Sequence, residues 1–289
     1  MRPFSFEQPR TLGAAVDLLA ADGSARILAG GTDLIIRLRD GSIRASTVVD
    51  IKRVAELSTA IAARGGGVEL GGRVTMTDVA RHPGIRTRYT ALAEGAAVVG
   101  SIQIRNRATL AGNAINASPA ADTTPALLVF GAVVVVGGPQ GARRIPIDEL
   151  FVRSGVTTLR PAEIVTGIEL PALDDGAGSV HLRRTRRRGH DLASVTVSCA
   201  VLASGETRLA YGSVGPRPVL RVERSGVLAD PGASDDARAE VIERLVAEAA
   251  PSPTSMRASP DYRLAMLRVL ASRAAAIARA RLAERPAAR

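Results

Sequence analysis

A mixed α+β fold divided between two domains is what this sequence predicts. Three observations carry the prediction. Residues 1–55 alternate helix and strand in a βαβ rhythm. From residue 56 the pattern turns to hairpins and isolated helices. Beyond a turn-rich junction at Pro171–Ser179, strand-like runs are followed by two helices. A chain of 289 residues with 46% hydrophobic residues is long and apolar enough for two cores.

In the first block, "TLGAAVDLLAADG" reads as a helix with Thr11 at its start and Gly23 just past its end. "ARILAG" reads as a strand, "TDLIIRLRDG" as a helix capped by Thr32 or Asp33, and "STVVDI" as a second strand. In the second, "TAIAARGGGVELGGRVTMTDV" predicts a hairpin about a glycine turn, a further strand, and a helix starting at Thr77 or Asp78. "ALAEGAAVVG" is helical. "IRNRATLAGNAINASPAAD" is rich in Gly, Asn and Ser and reads as an ordered loop. "TPALLVFGA" reads as a helix, "AVVVV" as a strand, and "EIVTGIELP" as a strand ended by Pro171. The last block holds the strands "VHLRR", "SVTVSCAVLA" and "TRLAYGSV", then the turn-rich "GPRPVLRVERSG". Two helices close it, the second with Pro260 at its start and Leu264, Leu267, Ala271, Ala274 and Ala278 on one face. The domains are therefore expected at 1–172, with subdomains of about 1–55 and 56–172, and at 178–285.

Composition narrows the function. The formal charge of +10 rests on arginine, since Lys52 is the only lysine. Aromatic residues are 2% of the chain and tryptophan is absent, so the stacking platforms of single-strand nucleic-acid binders are missing. Acidic partners or phosphate-bearing ligands suit the charge better. No apolar run approaches the roughly 20 residues of a membrane span, and the N-terminus lacks the apolar core of a signal peptide. A cytoplasmic location is the expectation. Cys199, the only cysteine, lies in a strand-like apolar run and reads as a small buried hydrophobe; it cannot supply a four-thiolate cluster cage. His82, His181 and His190 show no metal-ligand spacing, and no nucleophile elbow is present. No catalytic residue and no metal site is expected from this chain; any redox chemistry would need a borrowed reactive group.

Two glycine loops stand out. "AGGTDL", Ala29–Leu34, lies between a strand and a helix. It is either a tight turn or a phosphate cradle, because glycine lets the backbone approach a ligand and the following helix start offers free N–H groups. "TLAGNAINASPAAD", Thr109–Asp122, adds a second small-residue step at Ala111-Gly112 amid Thr109, Asn113, Asn116 and Ser118, with Arg105 and Arg107 just upstream. Two such nests converging on one ligand would suit a diphosphate, with Asp122 accepting from a sugar-like hydroxyl. Ordered loops of this length are uncommon unless functional.

These stretches resemble the FAD-binding medium subunits of the xanthine dehydrogenase and aerobic carbon monoxide dehydrogenase family of molybdenum hydroxylases, nearly end to end. "ILAGGTDLIIRLRDG" resembles that family's first flavin diphosphate loop, and "GSIQIRNRATLAGNAINASPAADTTPALL" its second. "LRRTRRRGHDLASVTVSCAVL", "YGSVGPRP" and "MRASPDYRLAMLRVLASRA" resemble its C-terminal domain. The resemblance implies a two-subdomain FAD-binding domain of the PCMH type, then a small domain of antiparallel sheet and helices. It implies that Ile27, Leu28, Ala29, Gly30, Gly31, Thr32, Asp33 and Leu34 hold the diphosphate from one side. Ser101, Ile102, Thr109, Leu110, Ala111, Gly112 and Asn113 would hold it from the other. Asp122 would hold the ribityl or diphosphate region, Val165 would pack on the flavin, and Arg183 would stand where some members place a lysine near the isoalloxazine. Ala111 departs from the usual glycine and would cost of order 1 kcal/mol if its φ were positive. Arg183 is bulkier than lysine and always charged.

The function implied is that of an electron-transfer flavoprotein subunit. A large molybdenum-cofactor subunit hydroxylates the substrate. A small subunit with two [2Fe–2S] clusters delivers electrons, and the FAD passes them to NAD, a quinone or oxygen. A heterotrimer, further dimerised, is the assembly implied. The arginines of "RRTRRR", Arg183–Arg188, read as stabilisers of reduced flavin or of an acidic partner, or simply as a solvated edge. Two other readings stay open at this level: a stand-alone flavin oxidoreductase of the same superfamily, and a non-enzymatic phosphate- or nucleic-acid-binding module.

Overall fold

The computed structural model describes residues 2–173, 176–187, 189 and 191–284. Asp174 and Asp175 of the expected linker, Arg188 of the arginine run, His190 and Arg285 at the expected domain end lie outside the described residues. The fold is α+β, as predicted, and is built on three principal sheets.

The first sheet is parallel. Its elements are β1 (Ser5–Glu7), α1 (Leu12–Ala21), β2 (Arg26–Leu28), α2 (Leu34–Arg39) and β3 (Thr47–Asp50), with strand order β1-β3-β2. A 3-10 turn at Ile51–Arg53 follows. Thr11 caps α1, its hydroxyl accepting from the Ala14 amide at 3.2 Å. Ala15 and Val16 bury against Val49, Ile51, Val54 and Leu57. Neither Thr32 nor Asp33 caps α2 in the expected way. Asp33 holds the cap position but makes no side-chain cap bond.

The second sheet, β4-β5-β10-β6-β7, is antiparallel throughout. The hairpin β4 (Ile61–Arg64) and β5 (Gly67–Gly71) opens it. Five short helices follow: α3 (Met76–Arg81), α4 (Pro83–Arg88), α5 (Thr90–Ala97), α6 (Ile102–Arg105) and α7 (Leu110–Ile115). Helix α8 (Thr123–Val129), β6 (Val133–Gly138), β7 (Gly141–Pro146), α9 (Ile147–Leu150), the small hairpin β8 (Phe151–Arg153) and β9 (Val156–Thr157), and β10 (Ile164–Leu170) complete this lobe. Tyr89 and Phe130 meet edge to face at 5.1 Å in its core. Two expectations are corrected here. The helix expected at Thr77 or Asp78 is α3, which starts one or two residues earlier at Met76, because Thr75 and Asp78 form a reciprocal capping box; the turn before it replaces the expected strand. The stretch expected as a loop, Ile104–Asp122, contains α7 and the end of α6. Ser101 and Thr109 cap them by accepting from the Ile104 and Gly112 amides at 3.3 and 3.0 Å.

The third sheet is the meander β11 (Ala177–Arg184), β12 (Val195–Leu202), β13 (Thr207–Gly212) and β14 (Val219–Glu223). Strand β14 falls in the stretch read as turns. Helices α10 (Asp235–Val246) and α11 (Pro260–Ala283) cover one face. Alternation sorts the side chains: Val195, Val197, Cys199 and Val201 join the core under α10 and α11. Gly178 lets α11 lie on the sheet, since a Cβ there would stand 1.9 Å from the Ala278 carbonyl oxygen. On the predicted inner face of α11, Leu267, Ala271, Ala274 and Ala278 are buried, whereas Leu264 is only half-buried.

Candidate functional site

The two glycine loops meet backbone to backbone. A Cβ on Gly30 would lie 2.0 Å from the carbonyl oxygen of Arg107 and 3.0 Å from Cα of Ala108. Gly31 has φ +77°, a left-handed conformation that glycine adopts at no steric cost. The pair therefore has two separate reasons: one glycine admits the second loop and the other reverses the chain. The second loop is itself tied to the segment after β5. The Met76 amide donates to Ala108 at 2.9 Å and the Leu110 amide to Val74 at 3.0 Å, pairing Thr75 with Thr109.

These three segments enclose a cleft of about 250 Å³ lined by Ala29, Gly30, Lys52, Thr59, Arg73, Thr75, Asn106, Arg107 and Thr109. Cations dominate it. Lys52 pairs with Asp50 at 2.5 Å. Arg73 donates to the Lys52 carbonyl across the cleft, while its Nε is buried without a partner. Arg107 has no ion pair among the described residues. Among the described residues, none of the N–H groups of Gly30, Gly31, Thr32, Asp33 and Leu34 donates to a protein acceptor; the loop's bonds begin with the Ile35 amide, which donates to Gly31 at 3.1 Å. Free amides beside surplus positive charge form an anion cradle. A cleft of about 250 Å³ is at the small end of ligand sites, so it suits the phosphate-bearing part of a dinucleotide. The residues present fit that part of FAD.

Of the other expected residues only Ala29 and Thr109 line this cleft; the rest lie elsewhere in the fold. Ile27 and Leu28 end β2, with Ala29 in the cleft wall. Thr109 is buried and its hydroxyl oxygen already caps α7, leaving its proton to donate. Leu110, Ala111, Gly112 and Asn113 form the first turns of α7. Ala111 is thus helical and outside the positive-φ residues, so alanine strains nothing there. The Asn113 carbonyl accepts from the Thr123 hydroxyl at 2.6 Å. Ser101 caps α6 and Ile102 is exposed beside it. Val165 has its side chain in the core; its backbone matters more locally, because a Cβ on Gly72 would stand 2.6 Å from the Val165 carbonyl oxygen.

Asp122 and Arg183 form a second cluster. Asp122 is buried at the start of α8, and its Oδ2 accepts from Arg183 at 2.9 Å. The same guanidinium donates to the Val98 carbonyl at 2.9 Å and to the Asp191 carbonyl. His181 Nε2 lies 3.4 Å from Asp122 Oδ1, and Nδ1 lies 3.0 Å from Ser198 Oγ. This Ser-His-Asp line is not a hydrolase triad: Ser198 is fully buried in a strand and has no elbow. Cys199 is equally inert, its thiol pushed up to about 12 by burial. Among the described residues no group of His, Cys, Asp and Glu could hold a metal ion, and no helix is long and apolar enough to cross a membrane.

Sequence reasoning did not single out Lys52, Thr59, Arg73, Thr75 and Asn106 as cleft residues. A signal existed for two of them. Lys52 is the only lysine in an arginine-rich chain, and Arg73 follows the paired glycines Gly71 and Gly72.

Comparison with known proteins converges on one family. Residues 2–173 match the FAD binding domain in molybdopterin dehydrogenase, and residues 180–278 match the CO dehydrogenase flavoprotein C-terminal domain. The chain is 30% identical to the xanthine dehydrogenase FAD-binding subunit of Escherichia coli O157:H7, over 92% of each chain. It is 30% identical to the carbon monoxide dehydrogenase medium chain of Hydrogenophaga pseudoflava, over 97% of this chain and 98% of the other. Its structure superposes on a chain of reconstituted CO dehydrogenase from Oligotropha carboxidovorans with a TM-score of 0.89 at 26% identity, covering 97% of this chain and 99% of that one. The chain with the paired glycine loops thus belongs to the FAD-binding subunits of the xanthine dehydrogenase and carbon monoxide dehydrogenase family, the flavoprotein components of molybdenum oxidoreductases.

Proposed function

We propose that this chain is the electron-transfer subunit of a molybdenum hydroxylase, taking electrons from the [2Fe–2S] clusters of a small partner subunit that receives them from a molybdenum-cofactor large subunit. The observation that carries the reading is the cleft itself: the loop whose amides at residues 30–34 are unpaired enters its wall at Gly30, and the same wall carries Lys52, Arg73 and Arg107. When bound, FAD supplies the redox chemistry, accepting electrons and passing them to NAD, a quinone or oxygen.

The chain's own residues bind and orient. The amides of Gly30–Leu34 and the Thr109 hydroxyl donate to diphosphate oxygens, and the cleft cations offset the charge. Arg183 and Asp122, locked to each other, define the far end of the site, with exposed Val98 and Leu192 providing apolar surface beside them. The division at 1–172 and 178–285 follows as the flavin domain and its C-terminal companion. Cytoplasmic location goes with this assignment.

The test is an absorption spectrum of the purified chain before and after heat denaturation, with the released flavin identified. FAD at near one per chain is expected. A colourless chain that also fails to bind added FAD would overturn the assignment.

A further inference from the structure

Strand β11 is a stave laid along α5. Every second residue reaches the flavin domain: the Ser179 hydroxyl accepts from the Ala91 amide at 3.2 Å, the His181 amide donates to Glu94 Oε2 at 2.8 Å, and Arg183 donates to the Val98 carbonyl at 2.9 Å. The residues between them, Val180 and Leu182, turn to the other core. From α11, Arg281 ties the same spot down, bonding the Ser179 carbonyl at 2.7 Å and pairing with Glu94 at 2.7 Å.

This register sets His181 and Arg183 astride Asp122. That carboxylate belongs to the flavin domain, yet it makes no cap bond to its own helix. Both of its side-chain partners come from β11. A buried carboxylate left without partners is costly and would turn toward solvent. Arg183 holds one oxygen. The other faces His181 Nε2, on a side chain only 1% exposed. An ionised carboxylate can only accept, so Nε2 carries the proton. Nδ1 is then held by Ser198, whose Oγ stands at 3.0 Å in the neighbouring strand.

We infer that His181 is a positioning residue: through its Nε2–H it fixes the rotamer of Asp122, so that the C-terminal domain completes the cofactor site of the flavin domain. The inference rests on FAD occupying the site proposed above. Asp122 has two carboxylate oxygens and spare lone pairs on each, so a carboxylate held from one side can still accept a cofactor hydroxyl from the other. Free to rotate, it would do so only part of the time.

Three variants separate this role from packing. His181→Gln keeps an amide donor long enough to reach Asp122. His181→Asn has the donor on a shorter arm that falls short, and His181→Leu has none. His181→Gln and His181→Leu lose the Ser198 bond, whereas the side-chain oxygen of His181→Asn stands in the place of Nδ1 and keeps it, so flavin-free melting temperatures should fall for the first two and least for His181→Asn. FAD affinity, read by flavin fluorescence quenching on the full chain, should split them. His181→Gln should bind like wild type, and His181→Leu and His181→Asn about tenfold more weakly, as for one lost hydrogen bond to a charged group. Should His181→Leu fail to fold, the Gln and Asn pair carries the comparison. Equal affinity across the variants would overturn the inference, whether all match wild type or all are weakened alike. A wild-type chain that takes no FAD would instead refute the cofactor assignment on which it stands.

Discussion

Gly30→Ala should damage the cofactor site more than any other single methyl group. The new Cβ would stand 2.0 Å from the Arg107 carbonyl oxygen, 2.7 Å from its carbonyl carbon and 3.0 Å from Cα of Ala108. All three are backbone atoms, so no side chain can swing aside. Relieving the oxygen contact alone to about 3 Å requires the two loops to part by roughly 1 Å, an overpacking strain of about 1–3 kcal/mol. That parting also separates the amides of residues 30–34 from Thr109 opposite. Gly31→Ala makes the natural comparison. Its strain is a φ of +77° and a contact of 2.8 Å with the Leu28 side chain, which can rotate; it should cost about 1 kcal/mol. The assay is twofold: melting of the flavin-free chain, and FAD titration. Gly30→Ala should melt several degrees lower and bind FAD at least tenfold more weakly, and Gly31→Ala should fall between it and wild type. A Gly30→Ala chain with unchanged melting temperature and FAD affinity would show that the loops do not touch as described.

Gly178→Ala is the matching control away from the cleft. Its Cβ would meet the Ala278 carbonyl oxygen at 1.9 Å, so it should lower the melting temperature as much as Gly30→Ala while weakening FAD far less. Glu163 is held below its ordinary 4.5 by its bidentate bond from Arg143, which outweighs its burial. A depressed carboxylate stabilises above its unfolded-state pKa and loses that contribution as pH falls through the folded value. Glu163→Gln should therefore cost about 1–2 kcal/mol at neutral pH, and the gap from wild type in urea midpoints should close as pH drops below 4.5; a gap constant down to pH 3 would refute the pairing. Cys199, fully buried with its thiol near 12, should resist iodoacetamide at pH 8 in the native chain and react on unfolding; rapid native labelling would place it at the surface.

Much of the fold was legible from period and punctuation. The βαβ start, the hairpin about Gly65 and Gly66, the strands β10 to β13 and the two closing helices follow patterns set by neighbours along the chain. The misses have local causes of a different kind. Helices α6 and α7 are 4 and 6 residues long, too short for a hydrophobic period, and were masked by residues that favour loops. Strands β1 and β14 are edges of their sheets, exposed or half-buried except at Glu223, so they lack the apolar run that marks an interior strand.

The site divides in the same way. The sequence alone determined which backbone segments could cradle a phosphate, because a need for glycine is written in the residue itself. It determined too that the chain brings no nucleophile elbow or four-thiolate cluster cage of its own. Only the tertiary structure decided that Gly30 makes room for the second loop, that Lys52, Arg73 and Arg107 share one cleft, and that Asp122 is held by His181 and Arg183 from the other domain. Asp122 and His181 lie 59 residues apart. No local rule relates them: their meeting depends on β11 lying along α5 in one register, and that register is set by packing on both faces of the strand at once.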